Sequence, residues 1–211
     1  MRLITATVAM SLVVVPVLAG TTTTELTTAN AQRQETSFGD LTADALVHAA
    51  NTTIALVPAV SFKSGTIPAG EVTGDAVREL LTKPDEPWAV VTLTGQQLRE
   101  TLERSVSRAP QPHAGFLQVS GIVLTYDPDR PRNSRIVSLT VSDAELKPDG
   151  EYDVAMPLSL AKGGTGYFTI FREDITRSGS KGLADVILDF VEAQDEKSIS
   201  KTGQGRINVA G

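Results

Sequence analysis

Three features of this 211-residue chain have the residue types and spacing that could do chemistry: a serine three positions before a lysine, a pair of histidines, and a glycine-rich loop. Ser159-Leu160-Ala161-Lys162 has the S-x-x-K spacing of serine acyl-transfer enzymes, which places the lysine one helical turn from the nucleophile, and Lys201-Thr202-Gly203 matches their K-T-G. The same spacing recurs at Ser178/Lys181 and Ser198/Lys201, and S-D-N is missing, so a serine acyl-enzyme is an alternative resting on spacing alone. His48 and His113 are the only histidines, too few for the His/Asp clusters that hold two metals in a hydrolase. No catalytic residue and no metal ligand is therefore assigned within the chain. In Gly163-Gly164-Thr165-Gly166-Tyr167, successive glycines can take positive φ and aim backbone N–H groups at one anion. The same residues also permit a plain tight turn, and Tyr167, Phe168 and Phe171 also fit a core at a strand start.

The elements that must position these groups follow from periodicity. Residues 36–51 place Leu41, Ala45, Leu46, Ala49 and Ala50 on one helical face, with Asp40 as a candidate N-cap. A continuous apolar run at 53–60 reads as a buried strand whose far end Pro58 turns into an edge or exit. A short helix at 75–81 and a strand at 88–93 come next. Thr94 and Gln97 have capping-box spacing ahead of the stripe Leu98, Leu102, Val106. Strands are expected at 115–126, 135–141 and 152–157, and a last helix at 182–193 burying Leu183, Val186, Ile187, Phe190 and Val191. Helices alternate with strands only at first, and three strands then follow in succession. That order predicts an α+β domain with mixed sheets and packed helices.

A formal charge of −6 and the lack of a Lys/Arg-rich run argue against a nucleic-acid partner. Arg2 precedes an apolar stretch from Val8 to Ala19 that is too short to span a bilayer and reads as an export signal. Cleavage is expected after Ala19 or after Ala31, which makes residues 1–31 a signal and unstructured threonine-rich leader and residues 32–211 the domain. The mature protein would then lie in a periplasm or outside the cell, with no membrane attachment. With no cysteine, it must be stable without disulfides.

Six stretches, in order over residues 34–207, resemble the C-terminal domain of the 5'-nucleotidase / UDP-sugar hydrolase family. "QETSFGDLTADAL" is similar to its E-T-N-L-G-N-L-I-A-D-A opening, "IPAGEVTGDAVRELL" to its I-P-A-G-x-I-T segment, and "VTLTGQQLRETLE" to its L-T-G-x-x-L-x-x-x-L-E helix entry. "GFLQVSGIVLTYDPDRP" resembles its F-x-Q-V-S-G strand, "AKGGTGYFTIF" its GGDGY loop and "GQGRI" its closing Gly-Arg-Ile. In that family a separate metallophosphoesterase domain carries two divalent metals and the hydrolysis, while the C-terminal domain holds the nucleoside and sets specificity.

The resemblance implies a nucleotide or nucleoside ligand, no cofactor in this chain itself, and a possible separate metallophosphoesterase chain as partner. It points to Lys63, Phe116, Gly163, Gly164, Thr165 and Tyr167 as a degenerate binding set. Lys63 stands where the family turn has a substrate-facing arginine, and it keeps the charge without the bidentate fork. Thr165 replaces the aspartate that accepts bonds from ribose hydroxyls. Phe116 and Tyr167 are the rings left for stacking a base, since "PLSLAK" before the loop has none. Two further readings stand beside this one: the specificity subunit of a two-chain nucleotide hydrolase, and a structural or partner-binding module whose cleft has filled.

Overall fold

The run IALVP at residues 54–58 is apolar at every position, so a strand made from it has to be covered on both faces. The computed structural model describes residues 18–171, 175–200 and 205–211 and shows how it is covered. In chain order the elements are β1 (Leu18–Thr22), β2 (Leu26–Thr27), α1 (Ser37–Ala50), β3 (Ile54–Pro58), β4 (Thr66–Ile67), β5 (Gly70–Thr73) and α2 (Gly74–Leu80). There follow β6 (Pro87–Thr94), α3 (Gly95–Val106), β7 (Leu117–Ser120), β8 (Ile122–Tyr126), β9 (Ile136–Val141), β10 (Ala144–Glu145) and β11 (Glu151–Pro157). The chain ends with α4 (Leu158–Ala161), β12 (Ile175–Gly182), α5 (Leu183–Glu192), β13 (Ser198–Ile199) and β14 (Ile207–Val209), and short 3-10 turns follow β3, α4 and α5.

Five strands make the central sheet in the order β12-β6-β11-β3-β7, with β11 and β3 parallel and the other neighbours antiparallel. Ile54, Leu56, Val91 and Val154 face one core, which α3, β8, β9 and the glycine loop close through Leu98, Leu124, Leu139 and Tyr167. Ala55, Val57, Val90 and Ala155 face a second core closed by α1, α2 and α5. The alternation along each strand thus separates two layers, and the mixed α+β architecture is the one expected from the sequence.

Local chemistry explains most of the boundaries. The capping box at α3 forms as predicted: Thr94 Oγ1 accepts from the Gln97 N–H at 3.2 Å and Gln97 Oε1 accepts from the Thr94 N–H at 2.8 Å. The N-cap of α1 is Thr36 rather than Asp40, which lies buried in the first turn instead. The strand expected at 115–126 is two strands in different sheets. Gly121 divides them at φ +73°, where an added Cβ would lie 1.8 Å from the Thr53 carbonyl oxygen. Phe190 of α5 is only partly buried and meets His48 edge-on at 5.6 Å between ring centres.

Residues 18–31 correct the expectation of an unstructured leader. β1 pairs antiparallel with β5 and parallel with β13, and Leu26, Thr28 and Ala31 are buried. Thr28 Oγ1 donates to the Lys63 carbonyl at 2.7 Å and accepts from the Gly65 N–H at 2.9 Å. Cleavage after Ala19 would cut β1, and cleavage after Ala31 would remove β1 and β2. The domain therefore begins by Leu18 and not at Gln32. The apolar run up to residue 17 lies outside the described residues. No helix among the described residues is long and apolar enough to cross a membrane.

Candidate functional site

The glycine loop starts where central strand β11 ends. Pro157 closes that strand, and the single turn α4 delivers the chain to Gly163. Gly163, Thr165 and Gly166 are left-handed, with φ of 80°, 52° and 86°. Close approach to backbone requires two of the glycines, since an added Cβ would lie 2.5 Å from Phe168 Cα at Gly163 and 2.6 Å from the Ser159 carbonyl oxygen at Gly164, while at Gly166 the φ of 86° is what favours glycine. Thr165 has no such freedom. A β-branched residue in this region is a genuine outlier, costing roughly 1–2 kcal/mol. Its hydroxyl donates to the Gly164 carbonyl at 2.8 Å, so toward a ligand it retains only acceptor capacity.

Tyr167 and Phe116 are not free to stack a base, which corrects the expectation for both. Each is fully buried in the core on the α3 side of the central sheet. The Tyr167 hydroxyl donates to the Gly115 carbonyl at 2.7 Å, its ring stacks on Phe171 at 5.5 Å, and burial pushes its phenol pKa upward. The buried phenol thus serves as an anchor that ties the loop to the segment before β7. The exposed ring is the next one, Phe168, 69% accessible.

Lys63 belongs to the same neighbourhood through that segment. The Ala59 N–H donates to the Phe116 carbonyl at 2.8 Å and the Val60 N–H to the Ala114 carbonyl at 2.9 Å, so residues 113–116 form a strap between the Lys63 turn and the glycine loop. The Lys63 side chain is exposed and lines a cleft of about 180 Å³ with Arg33, Asn30, Phe62 and Pro112. The strap thus links the backbone of the turn before Lys63 to the Thr165–Tyr167 part of the loop, with the two rings packed beneath, while no residue of the glycine loop lines the Lys63 cleft.

Ser159 and Lys162 line another cleft, of about 460 Å³, with Lys83, Glu86 and Leu158. The Ser159 N–H is committed to Glu86 Oε1 at 2.8 Å, which takes away a backbone donor that an acyl-enzyme would need for its oxyanion. Lys181 pairs with Asp189, and Lys201-Thr202-Gly203 lies outside the described residues.

His113 is half-buried, with Nδ1 3.4 Å from the Ser105 carbonyl, and burial lowers its pKa, helped by the Arg108 and Arg104 charges. Its folded pKa lies below the unfolded value of about 6.5, so its share of stability is full above that pH and is lost as pH falls through the folded pKa. His113→Asn, which cannot charge but keeps a donor near Ser105, should therefore lose less Tm than the parent between about pH 7 and pH 5. Thermal melts of the two proteins across that range check it.

Arg104 escaped the sequence reading. It lies off the Leu98/Leu102/Val106 stripe, and only the folded loop reveals its role: its guanidinium sits 5.3 Å from the Tyr167 ring centre and Nη2 donates to the Thr165 carbonyl at 3.4 Å. Among the described residues no group of three or more His, Cys, Asp or Glu side chains is placed to hold a metal ion.

Comparison with known proteins gives this site a context. The family model described as the 5'-nucleotidase C-terminal domain matches residues 17–173, a stretch that includes β1. An apyrase of Aedes albopictus is 30% identical over 187 residues, covering 82% of this chain and 32% of that protein. A 5'-nucleotidase of Homo sapiens is 35% identical over 129 residues, 57% of this chain and 22% of that protein. The crystal structure of a 5'-nucleotidase precursor from Thermus thermophilus superposes with a TM-score of 0.81 at 28% identity, over 91% of this chain and 39% of that one. The chain thus spans a third or less of the sequence relatives it matches.

Proposed function

Since the chain belongs to the 5'-nucleotidase C-terminal domain family, we propose that it is the nucleotide-holding half of an exported 5'-nucleotide hydrolase. It holds a nucleotide or nucleoside at the strap between Lys63 and the glycine loop. The phosphoester chemistry belongs to two divalent metals on a metallophosphoesterase unit outside these residues, in the same or another polypeptide. This chain's own part is to bind and orient. The Lys63 ammonium attracts phosphate, the left-handed loop holds its shape at the end of β11, and the Thr165 hydroxyl accepts a bond from a ribose hydroxyl.

The observation that carries this reading is Thr165 itself. A threonine held at φ 52° between glycines persists only because the surrounding contacts over-determine it, as at ligand loops generally. The burial of Phe116 and Tyr167 favours a second reading, a partner-binding module whose cleft has filled.

A nucleotidase assay separates the two. The chain alone with manganese or zinc should release no phosphate from AMP. Added to the metallophosphoesterase half of a two-domain 5'-nucleotidase, it should lower the KM for AMP about tenfold or more, the worth of a charge-assisted bond or two. Phosphate release by the chain alone would contradict the division of labour, and an unchanged KM would favour the module.

A further inference from the structure

The molecule carries a second polar cleft that the nucleotide reading does not use. It measures about 530 Å³ and lies between α3 and the turn after the glycine loop. Gln96, Arg99, Glu100 and Arg104, at i, i+3, i+4 and i+8 along one face of α3, make one wall, and Asn133 and Thr169 stand among the others. Its volume falls within the range of roughly 300–1,000 Å³ usual for small-molecule sites.

The two arginines and two glutamates of this cleft cancel in formal charge but differ in how far their hydrogen bonding is met. Glu103 also lines it, but both its carboxylate oxygens are committed, accepting the Arg135 and Ile136 backbone N–H groups at 2.9 Å. Glu100 Oε1 accepts from Gln96 at 3.1 Å. Neither arginine forms an ion pair among the described residues. Arg104 is part-buried, held over the Tyr167 ring, with one long bond at 3.4 Å to the Thr165 carbonyl and a buried Nε that has no partner. A guanidinium presents five N–H donors in a planar fork, and leaving them unmet in a part-buried position costs more than exposing them to water.

We propose that this cleft binds a small oxyanion, the phosphate or carboxylate group of a ligand. Arg104 reaches it through its Nη groups and Arg99 supplies the second charge, while Asn133 and Thr169 donate to the same group or its neighbours. The site is separate from the Lys63 cleft. A ligand seated here contacts the arginine that touches the Thr165 carbonyl, so its binding bears directly on the strained residue of the loop.

Titration calorimetry at constant ionic strength with inorganic phosphate in one arm and citrate in the other tests the site and distinguishes the two anion sources. Arg104→Gln and Arg99→Gln should each weaken whichever anion binds by about tenfold. Lys147→Gln, an exposed lysine that lines neither cleft, should leave it unchanged. Arg99 is exposed, so its variant remains a fair test if Arg104→Gln folds poorly. Binding of neither anion at millimolar concentration, or equal affinity in the parent and Arg99→Gln, would overturn the proposal. Loss of binding in Lys63→Gln alone would reassign the anion to the nucleotide cleft.

Discussion

Replacing Arg206 by methionine should destabilise the fold by about 3–5 kcal/mol, the loss expected when one partner of a buried ion pair is removed. Arg206 is 8% exposed, donating at 2.8 Å to both the Val119 carbonyl and Asp44 Oδ2, with Asp40 Oδ1 at 3.8 Å. Burial works against its charge, but the Asp44 hydrogen bond and the Asp44 and Asp40 carboxylates more than offset it, so its pKa is raised. Without the guanidinium, Asp40, 1% exposed, keeps a buried charge and loses this cation. For a domain of this size the melting temperature should fall by roughly 6–20 °C. Urea unfolding of Arg206→Met, and of the same change combined with Asp40→Asn and Asp44→Asn, checks the mechanism. The triple variant should recover much of the loss, because, of the acids near the arginine, it leaves only Glu35 charged, which also accepts the Ile207 N–H. A single variant within about 1 kcal/mol of the parent would contradict it.

Thr165 carries the second large prediction, and its two effects can be separated. Asparagine and aspartate tolerate the left-handed region far better than threonine, so Thr165→Asn and Thr165→Asp should each stabilise the chain by about 0.5–1.5 kcal/mol. Only the aspartate also supplies a charged acceptor. Against adenosine and AMP it should bind about tenfold more tightly than the asparagine variant, since a bond to a charged group is worth roughly twice a neutral one. The comparison matters because both variants relieve the same strain, which leaves the charge as the difference between them. Stabilisation with no gain in affinity would mean that the loop is only a turn.

Much of the fold was legible because local chemistry and tertiary packing agree. The capping box at Thr94/Gln97 and the apolar stripe of α3 need no distant partner, and the every-position apolar run of β3 demands two covering layers wherever it sits. The opening of the domain misled for a physical reason. A run of small residues and threonines suits an unstructured leader, and it also suits a strand such as β1. Pairing to β5 and β13, far along the chain, distinguishes the two. Gln118 shows the same limit. Its amide accepts from Thr36 and donates to the Ala31 and Gln34 carbonyls, and Gly39 leaves room for it, since an added Cβ would lie 2.5 Å from its side chain. The residues that make this clamp were visible in the sequence, but nothing local says that they meet.

The candidate site was readable in its backbone and misread in its rings. Glycines at 163, 164 and 166 mark the loop from sequence alone, and they prove necessary, the first two against neighbouring backbone and the third through its positive φ. Phe116 and Tyr167 are the rings that the resemblance leaves for stacking a base, although Tyr167 also fits a core. Their burial follows from contacts across the molecule, the Tyr167 hydroxyl with Gly115 and the Phe116 carbonyl with Ala59. Arg104 had no signal in the chain, since its partners are a ring and a carbonyl more than sixty residues away.

The central claim is that this domain holds a nucleotide at the Lys63 turn and the glycine loop, and calorimetric titration of AMP tests it most directly. The account predicts weak binding by the parent chain, tightening about tenfold in Thr165→Asp relative to Thr165→Asn and weakening in Lys63→Gln. AMP binding to none of the four proteins at millimolar concentration would contradict it, as would equal affinity in all of them.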